Sequence, residues 1–147
     1  MYDASVAVHV VAAIVGFGVT FSYPVIQLVS ERRGLEAAAT GLDAVLAISS
    51  RVAVPAALVV GATGVYQLAE GPYTFGDVWL AVSFALYLAV MVVAVAYLAP
   101  AYTRARDAAR RGSSDEYDAA VRGTRLVGPF VAGAIVAIAV LMEVKPG

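Results

Sequence analysis

Four long apolar runs, each bounded by charge or by Gly and Pro, organise the chain: residues about 4–29, about 43–69, about 77–102 and about 124–143. Each reaches the roughly 20 residues a helix needs to cross a bilayer. The pattern predicts an all-α integral membrane protein, a four-helix up-and-down bundle in one transmembrane domain spanning residues 1–147. The first connection, SERRGLEAAATGLD, is polar at its start and can extend the second helix inward. The second, AEGPYTFGD, is a short Gly/Pro turn that makes spans two and three antiparallel neighbours. Residues about 103–123, TRARDAARRGSSDEYDAAVRG, form the one long hydrophilic loop, with a break at GSSD and Ser114 or Asp115 as helix N-cap.

Composition agrees with the pattern: 61% hydrophobic residues against 14% charged, with a mean hydropathy of +0.82, puts the chain in a lipid bilayer. The first apolar run does not read as a cleaved signal, because it starts at Met-Tyr-Asp without a basic segment and is too long. A net charge of −1 hides an asymmetry that changes the picture more. Arg32, Arg33, Arg51, Arg104, Arg106, Arg110, Arg111, Arg122 and Arg125 all fall on or beside the first and third connections, whereas Lys145 lies on the other side. The positive-inside rule then makes those connections cytoplasmic, with both termini and the EGPYTFGD turn outside the cell inner membrane. The basic loop mixes both signs of charge and reads as a topology signal, with no nucleic-acid partner.

In a membrane helix the few polar residues carry the information. His9, Ala13, Gly16, Thr20, Tyr23 and Gln27 recur at steps of four and three, so they share one stripe of the first span, while Val10, Val11, Ile14, Val15 and Phe17 point elsewhere. That small, polar stripe is expected to face the other helices. Pro24 removes a backbone donor near its inner end and predicts a kink. His9 admits two readings: a hydrogen-bonded structural side chain, or a metal or haem ligand, alone or with Met91 or Met142. It is the only histidine, and no carboxylate sits mid-span to help hold a metal.

Arg51 also admits two readings, snorkelling to the inner interface or turning inward with Ser49, Ser50, Tyr23 and Gln27 to bind an anionic group. Gly61, Gly64, Gly128 and Gly133 mark helix-packing surfaces. Tyr66, Tyr73, Phe75 and Trp79 read as an outer aromatic belt and Tyr97 and Tyr102 as an inner one, with Ser83 and Tyr87 turned toward the His9 side.

The absence of cysteine excludes disulfides, thiolate metal sites and cysteine nucleophiles. Without a phosphate loop, a nucleophile beside a base or paired carboxylates, the sequence points away from an enzyme. The segments VHVVAAIVGFG, PAALVVGATGVYQL, WLAVSFALY and LMEVKPG resemble a family of small bacterial integral membrane proteins of unknown function. Its layout is similar to that of copper-resistance CopD-like and protoporphyrinogen-oxidase-like membrane proteins. The resemblance implies a four-helix bundle and a link to haem or copper through His9. This chain departs from those relatives in having no second histidine and no methionine-rich segment. The expected function is a ligand- or cofactor-binding module, or a subunit of a membrane assembly, built on His9, Thr20, Tyr23, Gln27, Arg51 and Tyr87. A haem-linked redox protein with His9 as axial ligand and a small oligomeric transporter or channel are the alternatives. A homo-oligomer or a partner membrane protein is expected in each case.

Overall fold

The computed structural model describes residues 1–145. They form four helices, each long and apolar enough to cross a membrane: α1 (Tyr2–Glu31), α2 (Leu35–Glu70), α3 (Val78–Arg110) and α4 (Ser114–Val144). No strand occurs among the described residues. Helices are the form in which a spanning segment satisfies its own backbone polar groups, which lipid cannot do.

The helices extend beyond the apolar runs. α2 starts at Leu35, and the hydrophilic stretch at 103–123 is helical on both sides of a tight link at Arg111–Ser113. Gly112, with φ +74°, makes that link possible. The Ser113 N–H bonds back to the Ala108 carbonyl at 3.1 Å and the Gly112 N–H to Ala109 at 3.1 Å, closing α3 in a Schellman motif. Ser113 itself, one residue before the expected Ser114, is the N-cap of α4, and Asp115 and Glu116 sit in its positive first turn. Gly34, with φ +103°, performs the same reversal between α1 and α2.

α1 packs along α2, and α4 along α3. α2 and α3 meet closely only at the arginine-rich end, and α1 and α4 scarcely approach each other. The best-buried core lies at that same end: Ala38, Ala39, Leu42 and Val45 of α2 close on Tyr102, Ala105, Ala108 and Ala109 of α3 and Tyr117 and Val121 of α4. Large apolar side chains of the middle, including Val11, Ile14, Leu58, Val92 and Phe130, point outward as a lipid-facing surface.

Ion pairs gird the arginine-rich end. Asp43 of α2 meets Arg110 at 2.7 Å and Arg106 at 3.7 Å, both on α3. Glu31, at the end of α1, accepts from the Tyr117 hydroxyl at 2.7 Å and from Arg125 at 3.0 Å, both on α4. This clasp joins the first and last helices where their backbones otherwise stay apart.

Three helices are irregular before a proline. α1 turns at Phe21–Ser22 ahead of Pro24, α2 widens into a π-helical segment at Ser49–Ala53 ahead of Pro55, and α3 does so at Val93–Leu98 ahead of Pro100. Each proline lacks the N–H that would bond the carbonyl four residues back, so the ladder must shift there. The expected kink near Pro24 is present, and hydroxyls tie the loosened turn: Thr20 donates to the Phe17 carbonyl at 2.7 Å and Ser22 to Val19 at 2.6 Å. α4 carries Pro129 without such a break.

Two aromatic positions differ from the belt expected of them. Trp79 is buried, edge-on to Tyr73 with ring centres 5.2 Å apart. Tyr102 is buried in the core at the arginine-rich end. Their rings fill space between helices, whereas Tyr66, Phe75 and Tyr97 are exposed.

Candidate functional site

The polar stripe of α1 divides between two environments. Toward the termini it zips α1 to α2 in antiparallel register. The Gln67 amide reaches the Ser5 carbonyl at 3.4 Å, His9 Nδ1 lies 2.8 Å from the Thr63 hydroxyl, and Gly16 lies flat on Ala56. The Thr63 hydroxyl also lies 2.7 Å from the Val59 carbonyl of its own helix. The imidazole lies beside Gly64, where a Cβ would meet its ring at an ordinary contact distance of 3.5 Å. Thr63 was not singled out by the sequence, although Thr63 and Gln67 repeat on α2 the four-residue spacing of Ser5 and His9 on α1.

Deeper in the bundle the stripe borders a cavity of about 130 Å³ walled by all four helices. Gly16, Thr20 and Tyr23 of α1 line it, and so do Ser49 and Ala57 of α2, Met91 and Tyr102 of α3, and Val131 and Ala132 of α4. Its walls are apolar except for Thr20, Tyr23, Ser49 and Tyr102. The Tyr23 hydroxyl is sealed from solvent beside Ser49 without a hydrogen bond of good geometry, and the side-chain nitrogen of Gln27 one turn below is buried without a partner. A buried donor without a partner costs on the order of 1–3 kcal/mol, which makes these atoms conspicuous in an otherwise satisfied interior. All three helix breaks border this space, since Phe21, Ser49, Ala53, Val95 and Leu98 are among its walls.

The remaining expected residues lie apart from it. Tyr87 crosses from α3 to α2, donating to the Ala57 carbonyl at 2.8 Å with its hydroxyl over Gly61. Ser83 is fully buried and bonds the Trp79 carbonyl of its own helix at 2.7 Å. Arg51 is exposed on the π-helical segment of α2. Gly61 and Gly64 take close packing contacts, but Gly128 and Gly133 face open space. Lys145 caps the opposite end, donating to the Tyr73 hydroxyl at 2.9 Å, which holds its ammonium above the ordinary lysine pKa.

A second, larger groove of about 500 Å³ runs between α3 and α4 at the arginine-rich end. Arg104, Asp107 and Arg111 line it from the α3 side and Glu116 from α4, and Arg111 is already bonded to Glu116 and Asp107 to Arg106.

No group of three or more His, Asp or Glu side chains converges among the described residues. Met91 lines the central cavity, of which His9 is not a wall, so the two are not brought together as a ligand pair.

A family model described as "Predicted integral membrane protein (DUF2269)" matches residues 5–146. The chain belongs to the DUF2269 family. This match covers all four helices of the DUF2269 chain, the zipped stripe and every wall of the cavity. No curated protein and no solved structure matches the chain.

Proposed function

We propose that this DUF2269 protein is a non-enzymatic membrane module that holds an apolar ligand in the cavity between its four helices. The observation that carries the reading is the cavity of about 130 Å³ walled by all four helices, apolar but for the hydroxyl-bearing side chains of Thr20, Tyr23, Ser49 and Tyr102. Ligand sites of this kind are concave, mostly apolar and supplied with few polar groups. Thr20 and Tyr23 contribute to the wall, Gln27 adds a second buried donor below it, and His9 and Tyr87 hold the walls in register.

The arginine asymmetry supports a cytoplasmic location for the clasped end and an outer location for both termini, in the cell inner membrane. A reporter fused after Gly147 is expected to be active outside, and a cytoplasmic signal overturns this orientation. Exposed Gly18, Gly133 and Phe130 support assembly with a second copy or a partner membrane protein.

The ligand reading is tested with the full chain in vesicles and a photoreactive alkyl diazirine, with the labelled peptides mapped by mass spectrometry. Label on inward residues such as Val131 and Met91, lost in Ala132→Phe, is the expected result. Label restricted to outward residues such as Ile14 and Phe130 overturns it.

A further inference from the structure

We propose that the occupant is a neutral, single-ring quinone whose alkyl or prenyl chain leaves the cavity between α1 and α4; this rests on the ligand-binding reading above. Four observations converge. First, the polar end gathers the hydroxyl-bearing side chains of Tyr23, Ser49 and Tyr102, and the Tyr23 hydroxyl makes no hydrogen bond of good geometry within the protein, so the complementary ligand group is a neutral hydrogen-bond acceptor such as a carbonyl oxygen. Second, no Lys, Arg, His, Asp or Glu is among the walls, so a charged head such as a carboxylate would be buried without a counter-ion. Third, the volume of about 130 Å³ is close to the roughly 150 Å³ that accommodates a benzene-sized ring in a dry protein cavity. Phe17, Phe21 and Met91 supply the aromatic and thioether surfaces that favour a ring.

Fourth, the bundle is open on one side. α1 packs on α2, and α4 on α3, but α1 and α4 scarcely approach, and only the Glu31 clasp closes them at one end. Phe17 and Phe21 of α1 and Gly128 and Ala132 of α4 border the cavity on either side of that gap, and a Cβ at Gly128 would meet nothing within 4 Å. A ring seated at Tyr23 thus leaves its chain a path into lipid without unfolding a helix. Only binding is assigned; no electron transfer is needed for the fit.

The test uses the full chain in nanodiscs, with calorimetric titration of decylbenzoquinone, decylbenzene and decanoic acid, and thermal unfolding to verify that each variant folds. Expected is saturable quinone binding, weakened about fivefold by Tyr23→Phe, the worth of one neutral hydrogen bond. Ala132→Phe abolishes it. Decylbenzene binds more weakly than the quinone, and decanoic acid does not compete. If decylbenzene matches the quinone, if decanoic acid competes, or if Tyr23→Phe has no effect, the quinone assignment falls while the cavity reading stands. If no probe binds in a manner blocked by a folded Ala132→Phe, both fall.

Discussion

The two ends of the bundle are held by different physics. At the arginine-rich end the core is built of small residues, Ala38, Ala105, Ala108 and Ala109, around Leu42, Val45, Tyr117 and Val121, with ion pairs outside. Toward the termini, many larger apolar side chains of α1 and α2 turn away from the bundle, and these two helices meet through hydrogen bonds and glycine: His9 to Thr63, Gln67 to Ser5, Gly16 on Ala56. Near water, burying apolar surface is favourable and builds a core. In lipid, a valine gains nothing by turning inward, so close approach and polar contacts decide the packing.

Four substitutions test this contrast. The largest effect is expected at the arginine-rich core, where Leu42→Ala should destabilise by about 2–5 kcal/mol, the range for a fully buried leucine, while the outward Ile14→Ala stays within about 0.5 kcal/mol. Reversible unfolding in mixed micelles measures both, and equal losses would erase the distinction between the two ends. Next comes the clasp. Glu31→Gln weakens charge-assisted bonds to Tyr117 and Arg125 and should cost about 1.5–3 kcal/mol, with increased cross-linking distance between the ends of α1 and α4. An unchanged distance would mean that packing alone joins those helices. Smallest is the zipper. Thr63→Ala leaves His9 Nδ1 without its partner and should cost about 0.6 kcal/mol, the average for hydrogen bonds between membrane helices. A loss several times larger would make His9 more than a seam residue.

The four helices were legible because length and hydropathy suffice to define a span, and the kink was legible because proline acts locally. The inward face of α1 was legible from its period. What that face touches was not, because pairing His9 with Thr63 requires the register of two helices, which spacing alone does not supply. The cavity was hidden for the same reason: its walls share a depth across four helices, and nothing in sequence links Tyr23 to Met91 or Ala132. Trp79 and Tyr102 were read from composition as interfacial residues, but each found a gap between helices large enough for its ring. The helical extensions of α3 and α4 were masked by arginines and acids that face water on helices whose alanines pack inward.

The gap between α1 and α4 also bears on biogenesis. Neighbouring helices arrive in the membrane already tethered by short turns, but the first and last have no such tether. Glu31 is synthesised long before Tyr117 and Arg125 exist, and until α4 emerges its carboxylate has neither of its two partners. The joint between the oldest and youngest helices is therefore the last to be made, and a nascent chain halted before α4 leaves this edge unfastened.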